Sequence, residues 1–250
     1  MCSRYTETAA LDALADRFGI EVVEADTREL LGRYNVAPSQ VVPIIVADDG
    51  RRRLVPARWG LRPHWARHGK IAPFNTRAEI VRTSRTLRDA LKYARCLVLA
   101  DGFYEWQTIP GRRRRQPYYV RLAGGGLFAF AGLFTPPRAD DDVPATCTII
   151  TTTANALVAA IHDRMPVILD TRDETRWLNP FRVKPADVLP CLRPMTAELM
   201  EMYAVSTLVS SLRNEGPRLV EAVTLDQPRA ASWRPATERR DAQSIRLDHA

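Results

Sequence analysis

Cys2 has the widest chemical reach of any residue in this chain. Removal of Met1 would leave it at the N-terminus, with an α-amine of pKa about 7.7–8.0 beside a thiol of about 8.5. Near neutral pH part of that amine is unprotonated and able to attack an aldehyde, giving a Schiff base. The adjacent thiol can then close on the imine carbon to form a five-membered thiazolidine ring. Position alone does not separate this from an incidental second residue. Three further residues have types suited to the same chemistry. Asn75, in APFNTRAE, is by ordinary rules a turn or cap residue, but its amide could equally hold a reacting amine. Arg77, two positions on, would share a strand face with it. Glu105, in DGFYEWQ, is a carboxylate inside an aromatic run, placed for proton transfer or for a structural ion pair with an arginine. His162, in AAIHDRMP, suits proton transfer at neutral pH, although a histidine at a short helix end more often caps it.

Charge narrows the partner. The chain of 250 residues has a formal net charge of +7. Residues 51–115 hold 17 Lys/Arg against 4 Asp/Glu, so a basic middle sits in an acidic remainder. Arginine supplies nearly all of it, and Trp59, Trp65, Phe74, Phe103, Tyr104 and Trp106 are interleaved with it. Cations plus aromatic platforms suit single-stranded nucleic acid. The runs 51–53 and 112–115 flank turn residues and read as solvated faces. Cys2, Cys96, Cys147 and Cys191 are too widely spaced for a zinc motif, and His64 with His68 has no Glu between, so no metal and no cofactor is expected. No apolar run approaches the roughly 20 residues of a membrane helix, and no signal-peptide segment is visible. The expectation is a cytoplasmic protein, nucleoid-associated when bound to DNA.

These residues need a frame. Leu11, Leu14, Ala15 and Phe18 fall on one face of a helix expected over 7–18, with Gly19 as its stop. Strands are expected at 41–46, 54–59, 118–122, 127–134, 146–153 and 166–169. Residues 95–106 read as one long β run with a bulge or a bend at Asp101–Gly102. The AGGG between 118–122 and 127–134 suggests a hairpin. Short helices are expected at 83–93, 154–161, 172–178 and 195–202. Many antiparallel strands with scattered short helices indicate an α+β fold, not repeated βαβ units. One domain is expected over 1–226, with a polar, Arg-rich disordered tail at 227–250.

The motifs MCSRY at the start, GRYNVAPSQ at 32–40, Trp59-Gly60, FNTRAE at 74–79, TSR at 83–85, ADGFYEW at 100–106 and IHDRMPVIL at 161–169 occur in one order. Together they resemble the SOS response-associated peptidase family, over about residues 1–225. That resemblance implies a compact α+β domain with a barrel-like, mainly antiparallel β core. It implies recognition of abasic sites in single-stranded DNA, or at single-strand/double-strand junctions, and covalent capture through the N-terminal cysteine. It places the nucleophile at Cys2, the orienting amide at Asn75, the catalytic glutamate at Glu105 and a histidine assisting sugar opening at His162. Arg77 and Arg85 match phosphate-contacting arginines; Arg4, Pro38 and Trp65 fall where the family lines its DNA groove. Ser3 stands where the family usually has glycine. A monomer is expected, with lyase activity and self-processing of Met1 as accompanying reactions. The competing readings are a thiol peptidase acting in trans and a non-catalytic single-strand binding module.

Overall fold

A computed structural model describes residues 2–62, 73–111, 113–137, 145–179 and 183–225. In chain order these form β1 (Arg4–Glu7), α1 (Leu11–Phe18), β2 (Val22–Val23), β3 (Arg33–Val36), β4 (Val41–Asp48), β5 (Arg51–Trp59) and β6 (Asn75–Arg77). Then follow α2 (Ala78–Val81), α3 (Arg85–Tyr93), β7 (Arg95–Ala100), β8 (Gly102–Gln107), β9 (Gln116–Leu122), β10 (Phe128–Thr135) and β11 (Ala145–Thr153). The remainder comprises β12 (Arg164–Pro166), α4 (Thr171–Leu178), α5 (Pro185–Val188) and β13 (Met200–Ala204).

The strands make two sheets. One runs β13-β9-β8-β1-β3. The other runs β12-β11-β10-β7-β4-β5-β2, and β5 pairs again with β11. That last pairing closes β11, β10, β7, β4 and β5 into a ring, which is the barrel-like core. Strand β6 lies on the same edge of β11 that β5 uses, both in parallel register: Ala145–Cys147 faces Ala57–Trp59, and Ile149–Thr151 faces Asn75–Arg77.

Strand β7 is buried along its whole length, and its alternation serves two cores. Cys96, Val98 and Ala100 pack with Tyr5, Ile44, Trp59, Phe103, Phe130 and Ile149, a cluster shared by both sheets. Leu97 and Leu99 face the other way, against Leu14, Phe18, Leu91 and Trp177 of the helices. Helix α1 contributes Leu14 and Phe18, one turn apart, and Gly19 ends it in the left-handed region at φ 61°, where its N–H reaches the Ala15 carbonyl. Asp170 caps helix α4, its carboxylate accepting the Arg172 N–H at 3.1 Å.

Several expectations are corrected. The helix expected over 7–18 begins at Leu11: Glu7 is the last residue of β1, and the chain from Thr8 to Ala10 lies in neither element. The run 95–106 is two strands in different sheets. The break falls at Asp101, whose carboxylate takes the hydroxyls of Thr6 and Thr8 and the Thr8 N–H. β9 and β10 are not a hairpin: β9 pairs with β8 and β13, whereas β10 pairs with β7 and β11. Gly124, Gly125 and Gly126 all have positive φ and turn the chain from one sheet to the other. Residues 200–204 are strand β13 against β9, not helix, because pairing with Leu122 through Tyr118 outweighs local propensity. The strand expected at 166–169 is β12, two residues earlier, and 154–161 holds only a single 3₁₀ turn.

Among the described residues no helix is long and apolar enough to cross a membrane. Trp65, His64, His68 and the tail expected at 227–250 lie outside the described residues.

Candidate active site

Three backbone pairings bring the candidate residues together. β1 runs antiparallel to β8, with Arg4 opposite Tyr104 and Tyr5 opposite Phe103. Continued one step, that register sets Ser3 across from Glu105, beside Cys2. β11 holds β6, so Asn75 sits opposite Ile149. β11 also holds β12, and His162 occupies the turn just before it.

Cys2 and Glu105 are almost wholly buried, and Asn75 is 7% exposed. The Asn75 Nδ2 donates to the Cys2 carbonyl at 2.6 Å. The Cys2 thiol donates to the Arg4 carbonyl at 3.6 Å. Burial, and then the nearby Glu105 carboxylate, push that thiol well above its ordinary value. Across from it, His162 Nε2 lies 4.0 Å from Glu105 Oε1. His162 Nδ1 accepts the Arg164 N–H at 3.0 Å. The imidazole is about one-quarter exposed, so it is the member of the set nearest solvent.

Cys2, Asn75, Glu105 and His162 thus converge. Asn75 is not a turn residue; it opens a strand. The alternation of β6 puts Arg77 on the same side as Asn75, with Asn75 buried and Arg77 exposed at the strand end. Arg85 is exposed at the start of α3. Arg4 is half-buried and engaged inside the protein, donating to Asn35 Oδ1 at 3.0 Å and the Val209 carbonyl at 2.9 Å. Pro38 lies in the turn after β3, where Ser39 has φ 72° and its N–H donates to the Trp59 carbonyl at 2.7 Å.

The basic middle of the sequence divides in the structure. Arg53 pairs with Asp48 and Glu24, and Arg58 donates to the Ser39 carbonyl. Arg95 is buried and bonds the carbonyls of Leu91, Trp177 and Val183, a structural use that its place in a basic run conceals. A cleft of about 470 Å³ is lined by Trp106, Arg114, Arg115, Thr207, Ser210 and Asn214, among others; Trp106 follows Glu105 on β8 and so faces the opposite side of the strand. Sequence reasoning missed this cleft, because its two halves are far apart in the chain. It also missed Arg164, which was visible only as the arginine two residues after His162. No group of three or more His, Cys, Asp or Glu able to hold a metal is found among the described residues.

A buried cysteine of the N-terminal segment, held by an amide and gathered with a carboxylate and an imidazole, stands on an α+β frame. The chain belongs to the SOS response associated peptidase (SRAP) family, whose profile matches residues 1–212. It is 40% identical over 225 residues to the abasic site processing protein YoqW of Bacillus subtilis, covering 89% of this chain and 100% of that one. It is 32% identical over 232 residues to the abasic site processing protein HMCES of Gallus gallus, covering 78% of this chain and 68% of that one. A crystal structure of a protein from Bacteroides thetaiotaomicron superposes with a TM-score of 0.78 at 26% identity, covering 89% of this chain and all of the other.

Proposed function

We propose that this protein captures abasic sites in single-stranded DNA covalently, through Cys2 once Met1 is removed. The observation that carries the reading is the 2.6 Å bond from Asn75 to the Cys2 carbonyl, with Glu105 and His162 on the other side. That bond fixes the backbone on which the new α-amine would stand. The naming of the relatives as abasic site processing proteins supports the same substrate.

The chemistry proceeds without oxidant or reductant. An abasic deoxyribose is mostly a closed hemiacetal. His162 moves a proton at the ring oxygen, and the C1′ aldehyde opens. The Cys2 amine adds to C1′, giving a carbinolamine. Glu105 assists loss of water to the Schiff base. The thiol then adds across the C=N bond, its sulfur to carbon and its proton to nitrogen, closing the thiazolidine. The amine adds first and the sulfur second, since the ring closes only on an imine carbon already formed. A peptidase acting in trans would need a thiolate within reach of a peptide, and Cys2 is almost wholly buried. If closure is slow, the Schiff base can undergo β-elimination, which is lyase activity. Arg77 and Arg85, both exposed, serve to hold flanking phosphates; Arg4 and Pro38 support the groove wall.

The test mixes mature protein with a single-stranded oligonucleotide bearing one abasic site, alongside Cys2→Ala. A heat-stable shifted band on a denaturing gel with wild type only is the expected result. Binding that is salt-sensitive but never covalent, with Cys2 confirmed as the N-terminus by mass spectrometry, would replace this reading with a non-catalytic binding module.

A further inference from the structure

Arg164 lies two residues after His162, and its backbone N–H donates to His162 Nδ1 at 3.0 Å. A donor at Nδ1 requires a lone pair there, so the neutral ring carries its proton on Nε2. Nε2 is the atom that faces Glu105. Nδ1 also lies 3.0 Å from Asp163 Oδ1, a contact that would call for a proton on Nδ1 instead. The Asp163 carboxylate is 86% exposed and solvated, so the choice between the two rests on how firmly the Arg164 backbone is held.

The Arg164 side chain does the holding. That side chain is 10% exposed. It donates to the Thr151 carbonyl at 2.6 Å and forks onto both oxygens of Glu79, at 2.7 and 3.0 Å. Bidentate pairing of this kind fixes direction as well as distance. The same fork holds the Glu79 carboxyl below its usual range. Glu79 stands on α2, four residues after Asn75. Thr151 of β11 is flanked by Arg77 of β6 on one side and by Pro166 of β12 on the other. The fork therefore crosses β11 and braces the segment carrying Asn75 against the segment carrying His162. Without the Glu79 charge, Arg164 becomes a nearly buried cation facing only neutral oxygens, and it would have to reorient.

We propose that Glu79 is a positioning residue: acting through Arg164, it sets the Nε2–H tautomer of His162 and the placement of His162 relative to Asn75. Its effect on capture rests on the covalent reading above; its effect on the imidazole does not. The protein with Met1 removed is labelled with ¹⁵N-histidine, and the His162 ring signals are assigned by their loss in His162→Gln. Wild type is expected to show the Nε2–H tautomer. Glu79→Gln should shift the ring toward Nδ1–H and slow capture of the abasic oligonucleotide about tenfold. Glu79→Asp, which keeps the carboxylate, should recover part of both. In an Arg164→Met background Glu79→Gln should have no further effect. An unchanged tautomer in Glu79→Gln, or slowing that persists in full in the Arg164→Met background, would overturn the proposal. If wild type forms no crosslink, the covalent reading fails, and the ring signals alone still decide this one.

Discussion

At Asn75 the direction of the amide follows from its partner. The Cys2 carbonyl can only accept, so the 2.6 Å contact must come from Nδ2. That leaves Oδ1 buried and without a hydrogen-bond partner among the described residues. An unmet buried acceptor costs about 1–3 kcal/mol, and it is answered when a donor arrives. The amine of a processed Cys2, or a hydroxyl of the opened sugar, is a donor of the right kind. Asn75→Asp tests this within nearly the same volume. An aspartate cannot donate to the Cys2 carbonyl and sets a second carboxylate near Glu105. Losing about 2–3 kcal/mol at that point corresponds to roughly 100-fold slower single-turnover capture. Capture kinetics within a factor of two of wild type would remove Asn75 from the site's chemistry.

Strand β8 delivers Glu105, and the chain enters it at Gly102, where a side chain would have no room. A Cβ on Gly102 would come within 2.1 Å of the Tyr119 hydroxyl and 2.2 Å of its Cζ. The Tyr119 ring cannot swing clear. It is buried, packed 5.1 Å from the Tyr104 ring, and its hydroxyl is bonded to Thr6 at 2.8 Å. Gly102→Ala should therefore cost about 3 kcal/mol by overpacking, lowering Tm by roughly 6–12 °C for a chain of this size. Differential scanning calorimetry would read it; an unchanged Tm would mean that β1 and β9 yield easily. The same strand shows what the sequence could and could not reveal. Its aromatic alternation, like the Leu14/Phe18 spacing of α1, is local and could be read directly. The break at Asp101 depends on Thr6 and Thr8, some ninety residues upstream, and no window of sequence contains both. The apparent hairpin at AGGG failed for the same reason: adjacency in sequence suggested a pairing that the closed ring gives to other strands. Cys2, Asn75, Glu105 and His162 could be singled out because each sits in a short motif that matches the family's motifs in order, not because spacing alone marks them. Glu79 and Arg164 were not, since their relation spans 85 residues and exists only across β11.

The two sheets part company where Glu7 ends β1 and Asp101 separates β7 from β8, and the charge there bears on the whole molecule. Glu7 is 1% exposed. Among the described residues neither carboxylate oxygen has a partner at good hydrogen-bond geometry, although the Gly32 and Ala9 backbone N–H groups are near enough to help. Burial first, and the Asp101 charge second, push the Glu7 carboxyl up to about 8. A carboxyl in an unfolded chain titrates near 4.3. Between those values the folded protein holds a proton that the unfolded chain has released, so stability falls as pH rises through this window. The contribution is fully present below the unfolded value and lost above the folded one. Other carboxylates, such as Glu79 and Asp170, have the opposite sign and act at more acid pH. Comparing wild type with Glu7→Gln cancels them. The amide is neutral at every pH, is similar in size, and its N–H groups can donate toward Asp101. Melts followed by circular dichroism should nearly coincide near pH 4.5. By pH 9 the variant should be more stable by a few kcal/mol, or roughly 5–10 °C. Parallel pH profiles would mean that Glu7 is solvated or paired in the folded state. Since β1 also carries the site cysteine's segment at its other end, a falling capture rate above pH 8 in wild type, but not in Glu7→Gln, would trace to the loosened strand and not to the chemistry at Cys2.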